Sequence, residues 1–145
     1  MKTRLNLSNA ELDAIVEETT DTVWKQIDCT TCANCCRTLQ IVVDDKDISR
    51  LSAHLGTTPS EFSRRYVQIG KDKTKYFTKI PCPFLGEDNR CTVYEARPQA
   101  CSGYPYLHWK GFRTHSLMML DGCSTCPIVF NVWHALKQRL QPPKR

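Results

Sequence analysis

The stretch Cys29-Thr30-Thr31-Cys32-Ala33-Asn34-Cys35-Cys36 governs the reading of this chain. A two-residue gap between cysteines lets one tight loop aim two sulfurs at one metal, with backbone amides turned toward them. Two such steps in succession gather three thiolates, as in the loops that hold iron–sulfur clusters. Zinc ribbons use the same step, usually twice and from two separate loops. Cys123-x-x-Cys126 is a candidate second loop, placed before a C-terminal helix whose N-terminal dipole favours thiolates. Cys82, Cys91 and Cys101 each stand beside a turn or a proline, a spacing that suits one ligand per loop.

The candidate metal ligands are therefore Cys29, Cys32, Cys35, Cys36, Cys82, Cys91, Cys101, Cys123 and Cys126. Nine sulfurs exceed the four of one tetrahedral site, so a multinuclear centre or two sites is expected. One sulfur must then bridge metals or stay outside, and Cys36 is the candidate, since Cys35 already completes the spacing. Two other readings of the cysteines are weaker. A disulfide framework suits a small secreted chain, whereas this one has an odd count, an adjacent Cys35–Cys36 pair and 145 residues to build a core. Cysteines as plain core residues fit poorly with positions in turns beside proline and polar residues.

Working outward, Ser8 and Glu11 form a capping box for a helix over residues 8–27, with Leu12, Ile15, Val16, Thr19 and Val23 on one face. Residues 39–43 read as a short β-branched strand. Asp44 or Asp45 caps a helix carrying Ile48, Leu51 and Leu55, which Gly56 closes. Thr58-Pro59-x-Glu61 opens another helix, with Phe62 and Tyr66 on its core side. Strands over 75–80 and 91–94, joined through the Gly86–Asn89 turn, suggest a hairpin-like unit, while Pro81 and Pro83 keep the chain around Cys82 from being helical. Residues 107–120 read as mixed strand or coil. Pro127 opens a helix over 127–140 with Ile128, Val132, Leu136 and Leu140 at helical spacing, and the tail from 141 to 145 is expected to fray. The expected fold is α+β: one small domain over 1–145, with a core of about 25–130 and helices flanking loops gathered on a metal centre.

The composition, 41% hydrophobic and 24% charged, is that of a folded globular chain. No apolar run approaches the ~20 residues that span a bilayer, and the polar, acidic opening does not read as a secretory signal. A cytoplasmic protein without a membrane partner is expected. The formal charge of +5 treats each Cys as a neutral thiol; nine metal-bound thiolates would outweigh it, so net charge names no partner. Residues 60–80 hold six bases (Arg64, Arg65, Lys71, Lys73, Lys75 and Lys79) against two acids. A solvated face is the simpler reading, and nucleic acid is disfavoured. His54 and His134 read as helix-surface residues, whereas His108 and His115 are secondary ligand candidates. Trp24, Trp109, Trp133 and the stretch 104–109 are expected to pack the core.

The run 29–36, then Cys82-Pro83-Phe84-Leu85, then Cys91-Thr92-Val93-Tyr94-Glu95-Ala96-Arg97-Pro98-x-x-Cys101, resembles the YkgJ-like CxxCxxCC cysteine-cluster family over about residues 25–130. The resemblance implies metal binding by these cysteines, as zinc or iron chelation or as an iron–sulfur centre. Some relatives join the domain to flagellin lysine methylation. This chain departs from the pattern at Ser102, where members often carry Arg, so no role for that arginine carries over. In the same block, Arg97 is expected to cap a turn or to hydrogen-bond toward a cluster sulfur.

Iron or an iron–sulfur cluster is the preferred cofactor and zinc the close alternative; the metal ion is the expected partner, with a protein partner in view. Two other functions are kept open. One is a cluster-dependent redox or protein-modifying enzyme, although no dinucleotide fingerprint or HExxH motif is present. The other is a zinc-stabilised module that binds an anionic partner through residues 64–79.

Overall fold

A computed structural model describes residues 6–141; residues 142–145 of the tail expected to fray lie outside it. The fold is α+β: eight helices and one two-stranded antiparallel sheet among the described residues, in two compact units.

The first unit joins residues 6–28 to 105–141. It contains α1 (Asn9–Trp24), α7 (Phe112–Asp121) and α8 (Pro127–Arg139). The capping box of α1 forms as expected: Ser8 Oγ accepts from the Glu11 amide at 3.2 Å, and the Glu11 carboxylate accepts from the Ser8 amide at 2.8 Å. Leu12, Val16, Thr19 and Val23 are buried on one face of α1, facing Ile128, Val129, Val132 and Leu136 of α8. Across the same unit, Arg139 bonds Thr19 Oγ1 and the Glu18 carboxylate, each at 2.7 Å.

Residues 107–120 depart from the expected strand or coil, because 112–121 are helical. The reason is tertiary. No local side chain caps α7; instead the Asp13 carboxylate on α1 accepts from the amides of Gly111 and Phe112, both at 2.9 Å. Gly111 takes φ +81, a left-handed conformation that glycine adopts without a Cβ penalty.

The second unit is Cys29–Tyr104. It begins with two short helices, α2 (Cys29–Cys32) and α3 (Asn34–Thr38), joined by Ala33 at φ +56. Then follow α4 (Asp45–His54), α5 (Pro59–Tyr66), β1 (Val67–Ile69), β2 (Lys75–Phe77) and α6 (Gln99–Gly103). The caps at Asp44 and Thr58 form as expected, as does the C-terminal stop at Gly56, φ +67.

Strand pairing departs from expectation. The partner of β2 is β1, in the register Val67↔Phe77, Gln68↔Tyr76, Ile69↔Lys75, and not residues 91–94. Residues 39–43 contribute only the bridge Val42↔Tyr76 before Asp44 turns the chain into α4. Residues 91–94 make one bridge, Leu85↔Cys91, and then enter a 3-10 turn at Tyr94–Ala96. Each apolar run is diverted by the next cap or turn before a ladder can extend. The core of this unit is Ile41, Val43, Ile48, Leu51, Phe62, Phe77, Phe84, Val93 and Ala96, with Cys82, Cys91 and Cys101 packed at its edge.

Candidate metal centre

All nine cysteines stand as thiols. Seven of them lie in the second unit, and Cys123 and Cys126 in the first. The loop expected over 29–36 is helical on both sides of Ala33, whose left-handed backbone reverses the chain between Cys32 and Cys35. Arg37 ties this segment to the next. Its guanidinium donates to the Cys32 carbonyl at 3.2 Å and to Asn89 Oδ1, in the turn just before Cys91. The Cys82 amide donates to the Cys36 carbonyl at 2.7 Å, which draws the two cysteine stretches together. The Leu85 amide donates to the Cys82 carbonyl at 3.1 Å, so the chain turns tightly at Cys82, and the backbone amides of this turn favour its thiolate.

Cys82, Cys91 and Cys101 pack at the edge of the same core, and the backbone bond from Cys82 brings Cys36 and its neighbour Cys35 to them. Interaction with the Cys36 side chain, then burial, holds the Cys35 thiol far above its ordinary range, while interaction with the Cys35 side chain pulls the Cys36 thiol down against the effect of burial. Burial pushes the Cys82 thiol up, against the pull of the Phe84 amide. Burial first, then the charges that Cys82, Cys35 and Cys91 would carry, pushes the Cys101 thiol up to about 12. Cys123 is raised by burial and by Cys126. Half-buried thiolates crowded together repel, and a cation among them would reverse that cost. Among the described residues, no three Cys, His, Asp or Glu side chains already form a ligand sphere; the five thiols are neighbours, and their soft donor chemistry fits zinc or iron.

Arg97 turns to its own 3-10 turn, and no hydrogen bond from it to a sulfur is seen among the described residues. Its guanidinium stacks 3.9 Å from the Tyr94 ring centroid and reaches the Tyr94 carbonyl at 3.5 Å, and its charge favours the Cys101 thiolate. The secondary candidates are engaged elsewhere. His108 Nε2 lies 3.0 Å from Asp21 Oδ1 with its ring on Trp24, and His115 Nδ1 lies 3.1 Å from the Gly111 carbonyl oxygen. The Trp133 ring packs on Phe112 at 5.3 Å; Trp109, expected in the core, is instead half exposed, with its ring 4.6 Å from Tyr106. Sequence reasoning missed Arg37 and Asn89. Their positions, one after Cys36 and two before Cys91, were the available signal.

Thiols brought in from separated stretches and tied together through their backbone are the donor set of a thiolate metal-binding domain. The chain belongs to the CxxCxxCC family, described as "Putative zinc- or iron-chelating domain", whose model matches residues 28–127 and so spans all nine cysteines. No solved structure matches the chain. Zinc or iron binding is the property this membership carries. No helix among the described residues is long and apolar enough to cross a membrane.

Proposed function

We propose that the protein holds iron, as bound iron or an iron–sulfur centre, on the thiolates of the second unit, with zinc as the alternative occupant. The observation that carries this reading is the convergence of separated cysteine stretches: the Cys82 amide bonds the Cys36 carbonyl at 2.7 Å, and Cys82, Cys91 and Cys101 pack at the edge of one core. Cys29 and Cys32, on the short helix just before Cys35 and Cys36, extend the donor set; Cys123 and Cys126 form a separate pair in the first unit. Five neighbouring sulfurs exceed one tetrahedral sphere, which supports a bridging role for Cys36. When bound, the metal would supply positive charge, and iron would add one-electron chemistry. The residues themselves back the thiols with an apolar core that includes Phe84 and Val93, and the Arg97 charge favours the Cys101 thiolate.

The proposed role is metal carriage, electron transfer or support of a partner enzyme in a reducing compartment such as the cytoplasm, where nine thiols persist. The test is anaerobic purification followed by metal analysis and a visible spectrum. A brown protein with thiolate-to-iron absorption is expected. A colourless preparation with stoichiometric zinc and no iron would overturn the preference for iron and leave thiolate ligation standing.

A further inference from the structure

Asp47, on α4, is 3% exposed, and none of its bonds goes to a thiol. One face of this carboxylate closes the cap of its own helix, where Oδ2 accepts from the Asp44 amide at 3.2 Å. The other face leaves the helix. Oδ1 accepts from the Gln99 amide at 3.0 Å and from Arg50 Nη2 at 2.6 Å, and the same Arg50 nitrogen donates to the Arg97 carbonyl at 2.9 Å. Carboxylate and guanidinium thus grip the backbone on both sides of Pro98. Gln99 is the first residue of α6, and Pro98 has no side chain with which to cap it. The amides of Cys101 and Ser102 both bond the Pro98 carbonyl, at 2.9 and 3.0 Å. A five-residue helix does not hold its own direction in water. The direction of the Cα–Cβ bond of Cys101 is therefore set from α4.

We propose that Asp47 is a positioning residue that aims the Cys101 sulfur at the metal, acting through the Gln99 amide with Arg50 completing the grip. This rests on the reading of Cys101 as a ligand. Because the bond is to backbone, any side chain at 99 is compatible, but an imino acid is not. Gln99→Pro removes the one N–H concerned at a first helical position, where proline fits, and follows Pro98 at ψ 151, the extended region that a preceding residue needs.

The test uses the full chain titrated with Co2+ without oxygen, read by thiolate-to-cobalt absorption, alongside thermal melting. Asp47→Ala and Gln99→Pro should each weaken Co2+ binding roughly tenfold. Asp47→Asn, which keeps an oxygen for the Gln99 amide, should recover most of that loss. In a Cys101→Ser background, neither Asp47→Ala nor Gln99→Pro should weaken binding further, although both still lower the melting temperature. If Asp47→Ala does not fold, Gln99→Pro decides alone. Unchanged affinity in the folded variants, or losses that simply add to that of Cys101→Ser, would overturn the positioning role. If Cys101→Ser itself leaves affinity intact while Cys82→Ser does not, the ligand assignment fails first and the positioning role falls with it.

Discussion

Replacing Phe84 with alanine should strongly destabilise the second unit. The ring is 6% exposed and sits 6.0 Å from Phe62, 4.9 Å from Tyr66 and 5.3 Å from Phe77. Burying roughly 150–200 Å2 of aromatic surface at about 25 cal/mol per Å2 contributes about 4–5 kcal/mol. Residual burial in the unfolded chain trims this to about 3–4 kcal/mol, and truncations of this kind cost about 3–5 kcal/mol where a cavity remains. The backbone at Phe84 also serves the candidate centre. Its amide favours the Cys82 thiolate, and its carbonyl accepts from the Thr92 amide at 2.8 Å and the Thr92 hydroxyl at 3.0 Å. Loss of the ring should therefore weaken metal binding as well as folding, and Phe84→Leu should restore most of both. The assay is urea unfolding of metal-saturated and chelated protein. With a slope of about 1–3 kcal/mol per M, the midpoint should fall by about 2 M. A shift below about 0.5 M would refute the packing argument. An unaltered metal affinity in a destabilised variant would refute the coupling between core and loop.

Cys36→Ser and Cys101→Ser should lose more bound metal than Cys29→Ser, measured by elemental analysis after anaerobic purification; equal retention in all three would refute a centre built on the five neighbouring thiols. Metal at ~100 times its dissociation constant should stabilise the fold by ~2.7 kcal/mol, or roughly 5–10 °C in melting temperature; identical melting of chelated and loaded protein would make the metal peripheral. On the proposed ligand set, metal would displace protons from Cys35, Cys82 and Cys101, whose thiols are all raised, so apparent affinity should fall as pH falls, as Zn2+ titrations at pH 6 and pH 8 would read. The amides of Gly111 and Phe112 hold the Asp13 carboxyl below its ordinary range, so its contribution is full above about pH 4 and is lost as pH falls through the lower folded value. Asp13→Asn should flatten this acid limb in melting curves from pH 6 to pH 2, and parallel limbs for the two proteins would contradict the capping role.

Local signals were sufficient wherever one stretch of chain carries both halves of an interaction. Ser8 with Glu11, Asp44 with Asp47, and Thr58 with Pro59 announce their helices because cap and amide lie within three residues. The cysteine spacing declared its chemistry for the same reason, since soft donors two residues apart already share a loop. Tertiary structure alone decided the rest. α7 exists because Asp13, 98 residues from Gly111, offers a carboxylate to amides that their own neighbours leave uncapped. β2 chose Val67–Ile69 over residues 91–94 because Thr92 is spent on the Phe84 carbonyl and Val93 is drawn into the core. The division of the nine cysteines, seven in one unit and two in the other, follows from the packing of residues 6–28 with 105–141. No spacing rule carries that information, because the apolar faces of α1 and α8 meet only once the whole chain between them has been placed.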